Sequence, residues 1–138
     1  MAAPEVEEFA KRLVQQVRDA AIRNCDRMLQ AGGSTSIGKR WQEASSRTPE
    51  QFAKVLIPDI VDETVANLLI AIDQGLLRLS FTASAGKSVD LTTVAMETGE
   101  MSGLYQGGDG WCEKYSKERY VNDVADLEHF FDVPPDDE

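Results

Sequence analysis

Cysteine, histidine and long apolar runs are all scarce in this chain, and each scarcity closes off a class of protein. Two cysteines, Cys25 and Cys112, are too few for a disulfide framework and lie far from zinc-ligand spacing. The single histidine, His129, has no nearby nucleophile with which a Ser–His or Cys–His pair can be read. The nearest approach to a membrane span, Val55 to Ile72, is interrupted by Pro58, Asp59, Asp62, Glu63 and Asn67. Met1-Ala2-Ala3-Pro4-Glu5 has neither the basic region nor the apolar region of a secretory signal. The expected setting is cytoplasmic and reducing. No internal repeat, low-complexity tract or cofactor-binding pattern is present, and no cofactor is expected.

The 138 residues suit one domain, and a chain of this size buries enough surface to need no covalent staples. Its net charge of −10 is unevenly spread. Residues 1–47 carry eight basic groups against six acids, a balance of +2, whereas residues 48–138 carry six against eighteen, a balance of −12. That field repels nucleic acid and anionic membranes, whose binding rests on Lys and Arg meeting phosphate. It attracts a basic protein partner and speeds encounter with one, although acidity also serves solubility alone.

Residues 4–30 read as one amphipathic helix. Val6, Phe9, Leu13, Val17, Ala20, Asn24 and Met28 step along one side, with Ala10, Val14, Ala21, Cys25 and Leu29 widening the stripe, so this face is expected to be buried. At roughly 39 Å the helix outruns a compact domain, which suggests that it projects or pairs with a second copy as a homodimer. A short helix is expected near Ile37–Ser45. Thr48-Pro49-Glu50-Gln51 reads as a capping box opening a second helix, whose apolar face from Phe52 to Ile72 ends at Gly75. Pro58 is expected to kink that helix or to restart it. Alternation then predicts a strand over Leu77–Thr82 and another over Val89–Val94, joined by a hairpin loop at Ala83–Lys87. Thr98 reads as the cap of a short helix through Tyr105, ended by Gly107-Gly108. Ser116 reads as the cap of a last helix carrying Tyr120, Val124, Leu127 and Phe131, and residues 132–138 as an acidic tail expected to be disordered.

Three patterns bear on chemistry. Ala85-Gly86-Lys87-Ser88 resembles the end of a phosphate-binding loop, but Phe81 stands where its first glycine is required and a strand pattern follows in place of a helix. Asp59, Asp62 and Glu63 lie at i, i+3 and i+4, able to hold a hard cation if a second acidic pair (Glu97 with Glu100, or Asp123 with Asp126) faced them. The plainer reading is a solvated helical turn after Pro58. Tyr105, Gly108, Asp109, Trp111 and Tyr115 belong to a glycine-rich aromatic stretch able to contact a ligand or partner closely, or to plug a small core. Trp41 carries the same ambiguity, and Cys112 is the best thiol candidate.

The expectation is therefore a single α+β domain over residues 1–131. A long N-terminal helix and a second, proline-marked helix pack with a β-hairpin or small antiparallel sheet, plus a C-terminal helix. The leading functional reading is a small acidic interaction protein without catalysis that binds a basic partner, of the inhibitor, immunity or chaperone type. One alternative is a metal-assisted hydrolase using Asp59, Asp62 and Glu63. Another is a small-ligand module, which a pocket walled by Trp111 and Tyr105 would favour over both.

Overall fold

Pro4, followed by Glu5 and Glu7 in the first turn, starts a helix that continues without a break to Ala31. This helix, α1, comprises Pro4–Arg12, a π-helical stretch Leu13–Arg18 and then Asp19–Ala31 in the computed structural model. The structure describes residues 3–118. Ser116, Lys117 and Glu118 are not helical. The remainder of the expected last helix, with Tyr120, Asp123, Asp126 and His129, and the tail at 132–138 lie outside the described residues.

Gly32, at φ +59°, turns the chain into a short 3-10 segment, Gly32–Ser34. The second helix, α2 (Ser36–Ala44), is capped by Thr35, whose hydroxyl accepts from Gly38 N at 2.9 Å. The third, α3 (Pro49–Asp73), opens on the expected capping box, Thr48 and Gln51 each accepting from the other's backbone N–H. It continues through Pro58 as one helix, so the restart suggested by that residue does not occur. Tertiary anchors immediately around Pro58 outweigh the lost backbone donor: Val55 and Asp59 are both buried. Gly75, at φ +77°, follows its end.

The hairpin is shorter than alternation suggested. β1 (Ser80–Thr82) pairs antiparallel with β2 (Ser88–Asp90) in the register Phe81 opposite Val89, around a turn with Gly86 at φ +98°. Residues 91–94 are not strand but the start of a helix, α4 (Leu91–Thr98). Asp90 makes the switch, because its carboxylate accepts from Thr92 N and Thr93 N and so caps the new helix. Thr92 then buries its hydroxyl against the Ile72 carbonyl at 3.0 Å. Next come α5 (Met101–Gln106) and α6 (Trp111–Tyr115). The cap of α5 is not Thr98: Asp73, from the end of α3, accepts from Met101 N at 3.1 Å and Ser102 N at 3.2 Å. The described residues thus form six helices and one two-stranded antiparallel sheet, the expected α+β class. No helix among them is long and apolar enough to cross a membrane.

α3 runs through both hydrophobic clusters. Near its start, Val55 packs with Trp41 and Ala44, flanked by Cys25, Met28 and Phe52. Towards its end, Ala71 and Ile72 pack with Val17, Leu77, Ala95 and Met101. The stripe of α1 is accordingly buried only from Val17 onward, and no residue of Pro4–Arg12 is buried. Arg12 already reaches the Leu76 carbonyl at 2.9 Å, beyond the end of α3, so the preceding turns have no helix to cover them. The π-helical stretch lies at this change, where the wider turn alters which side chains face inward.

Candidate functional site

The three clustered carboxylates separate as soon as their environments are read. Asp59 sits four residues after the buried Val55, on the inward side of α3, and is 6% exposed. A carboxylate there needs compensation, and Arg40, 3% exposed, supplies it. Arg40 Nε and Nη2 donate to Asp59 Oδ2 and Oδ1 at 3.0 and 2.9 Å, and Trp41 Nε1 donates to Oδ2 at 2.8 Å. Trp41 is therefore core. Glu63 Oε2 accepts from Asn24 and Asn67, each at 3.0 Å. Asp62 turns the other way and accepts from the Tyr105 hydroxyl at 2.7 Å. The expected shared ligand set is thus not assembled, since each carboxylate is spoken for by a different partner. Among the described residues no group of three or more His, Cys, Asp or Glu side chains is placed to hold a metal ion.

Asp62 instead belongs to a cleft of about 500 Å³ between the middle of α3 and the α5–α6 segment. The i, i+4 pairs Ile57–Val61 and Pro58–Asp62 place two neighbouring ridges of α3 along one wall. Tyr105, Trp111, Cys112 and Tyr115 form the other, and Ser116 and Glu118 lie at the chain's exit from it. Ile57 and Val61 are 51% and 53% exposed, unusually open for branched apolar side chains in the middle of a long helix. The α5–α6 turn is tight: Asp109 adopts φ +58°, and a side chain at Gly110 would collide with the carbonyl oxygens of Leu104 and Gly107.

Of the aromatic stretch singled out from sequence, Tyr105, Trp111 and Tyr115 line the cleft. Gly108 and Asp109 do not. They are exposed on the turn, where Asp109 N donates to Glu113 Oε1 at 3.4 Å. Trp111 also packs against the core cluster of α3, so it is both plug and wall, whereas Tyr115 is largely exposed. Sequence reasoning missed Ile57, Val61 and the pairing of Asp62 with Tyr105. The first two had a signal, since the apolar residues of α3 cover more than the one stripe its core needs. The pairing had none, because nothing local links positions 62 and 105.

Electrostatics make the cleft an acceptor site rather than a nucleophilic one. Burial raises Asp62 from its ordinary pKa, outweighing the lowering by the Tyr105 hydrogen bond. Burial, and then donation to Asp62, raises Tyr105. Cys112 is also raised, chiefly by burial, which keeps its thiol protonated at neutral pH. No basic side chain lines the cleft among the described residues, its ionisable members being Asp62, Glu118, two tyrosines and a thiol. Comparison with known proteins adds nothing to this geometry: no family model, no curated protein and no solved structure matches the chain.

Proposed function

We propose that the protein is a non-catalytic binding module whose site is the cleft between α3 and the α5–α6 segment. The observation that carries this reading is a concave volume of about 500 Å³ walled by Trp111 and Tyr105, within the range of small-ligand sites. Mostly apolar walls with few polar groups are the usual composition of such sites, and here Asp62 and the Tyr105 hydroxyl supply the polarity. Saturation-transfer NMR with a panel of small organic fragments tests it. Binding that is lost on Ile57→Asp and on Tyr115→Ala, both changes at exposed positions, supports the reading. Fragments that bind equally well to both variants overturn it.

Docking of a basic protein partner is a second reading, favoured by the −12 balance of residues 48–138. An arginine-rich peptide that binds the protein with unchanged affinity between low and physiological salt would remove the electrostatic account of it. A homodimer through residues 4–30 is a separate proposal, supported by the exposure of Val6, Phe9 and Leu13. A monomer in light scattering at micromolar concentration ends it.

A further inference from the structure

The cleft presents apolar and aromatic walls, the Asp62 carboxylate set among them and Glu118 at its exit, and no positive charge among the described residues. We propose that its ligand is an organic cation with an apolar stem, an alkylguanidinium or alkylammonium group, seated between Tyr105, Trp111 and Tyr115 with its charged end at Asp62. This inference rests on the cleft being the binding site, and it adds the chemical class of the occupant.

Any occupant of the cleft changes the solvation of Asp62. Among the described residues Tyr105 is the donor seen on that carboxylate, which leaves further lone pairs open to water. A molecule that fills the cleft displaces this water. A neutral apolar occupant leaves the charge desolvated and under-bonded, which opposes binding. An anion adds repulsion and finds no lining cation among the described residues to offset it. A cation restores both charge and hydrogen bonds. Its N–H groups have as acceptors the Asp62 oxygens and the Tyr105 oxygen, which donates one proton to Asp62, is hydrogen-bonded to the Cys112 thiol and keeps a second lone pair. The aromatic walls act in the same direction, because the faces of Trp and Tyr rings attract cations while their area shelters an alkyl stem. Arg40, whose charge is felt at Asp62, is already committed to Asp59 and does not fill the role.

The test is a ¹⁵N-HSQC titration of the full chain with butylguanidinium and with its neutral isostere butylurea, followed at the Trp111 indole N–H and assigned with Trp111→Phe. The expected result is at least fivefold tighter binding of the cation, and loss of that preference in Asp62→Asn. The substitution keeps an oxygen to accept from Tyr105 and removes only the charge, and its spectrum reports directly whether the fold is retained. Equal binding of the two probes leaves the cleft as a binding site and overturns the cationic class. A preference for the cation that survives Asp62→Asn also overturns it, because the carboxylate is then not what the cation meets. Failure of both probes to shift cleft resonances overturns the class together with the cleft reading beneath it. An acetylated, amidated pentapeptide Ala-Ala-Arg-Ala-Ala, run alongside, separates the sources of the cation. Tighter binding than butylguanidinium assigns the cation to a protein side chain, and weaker binding assigns it to a free small molecule.

Discussion

Replacing Asp59 by asparagine is expected to be the most damaging single-charge change in α3, although the neighbouring Asp62 differs from it by less than one helical turn. Asp59 accepts three hydrogen bonds from two buried side chains, Arg40 and Trp41. Arg40 Nη1 is buried with no partner among the described residues, so the carboxylate provides nearly all the compensation that the guanidinium receives. Asparagine preserves shape and one acceptor oxygen, but its amide N–H₂ faces Arg40 donors and the buried cation loses its counter-charge. Removing one member of a buried pair costs about 3–5 kcal/mol, because the survivor remains desolvated. With an m-value of about 1.5 kcal/mol/M, the urea midpoint followed by far-UV circular dichroism should fall by roughly 2–3 M. Adding Arg40→Met to Asp59→Asn should recover at least half of that loss, since the stranded cation is gone and Trp41 keeps an acceptor. A fall of less than about 0.5 M in the single variant would refute the reasoning, because it would mean that the pair is solvated in the native state.

The other expected outcomes are smaller or concern pH and reactivity. Because burial raises Asp62, the folded protein holds that proton to higher pH than the unfolded chain does. The associated stability is therefore fully present below about pH 4 and is lost as pH rises through the folded-state value. Asp62→Asn should accordingly gain on the parent between pH 4 and pH 7 in urea titrations, and an unchanged difference across that range would contradict the shift. Thr48→Ala breaks the capping box and should cost about 1 kcal/mol by the same assay, with Thr48→Ser close to neutral. Burial raises both Cys25 and Cys112, so their alkylation by iodoacetamide at neutral pH should be slower than that of free cysteine. Alkylation of Cys112 as fast as free cysteine would show that the cleft holds a thiolate and would reopen nucleophilic chemistry there.

Much of this architecture was legible because local signals and tertiary packing agreed. The capping box at Thr48, the Gly75 stop and the hairpin turn at Gly86 are local chemistry, and each stands where its residues demand. Sequence reasoning failed where a distant group decides. The alternation of Val89, Leu91 and Thr93 is strand-like over so short a stretch, yet Asp90 capping and the Thr92–Ile72 bond commit residues 91–98 to helix. Likewise α5 is capped from Asp73, 28 residues away, so no inspection of residues 97–101 could find its cap. The position of Asp59 did carry a readable warning. It falls on the stripe of Val55 and Ala66, and a charged residue on a buried stripe implies a buried partner of opposite sign. Grouping it with Asp62 and Glu63 by proximity hid that, because adjacent residues of a helix face different neighbours. For the cleft, the aromatic residues were visible in sequence and their destination was not, since it depends on how α5 crosses α3.

That crossing is set by two aspartates on one side of α3. Asp62 and Asp73 are about three turns apart, which returns them to the same face of the helix. Asp73 takes the backbone N–H groups at the start of α5, and Asp62 takes the Tyr105 hydroxyl near its end. α5 is thereby held at both ends against α3 by hydrogen bonds, and Met101 is the one of its residues that is buried. A six-residue helix fixed in this way covers only part of the surface of α3 on that side. The tight turn through Asp109 and Gly110 then swings Trp111 and Tyr115 back over Ile57 and Val61 without closing on them. The cleft is thus a direct consequence of pinning a short helix to a long one at separated points. The same carboxylate that pins the C-terminal end of α5 is the charge an occupant must satisfy. A ligand that engages Asp62 therefore also bears on the bond that positions Tyr105, so the wall and the recognition group respond to occupancy together.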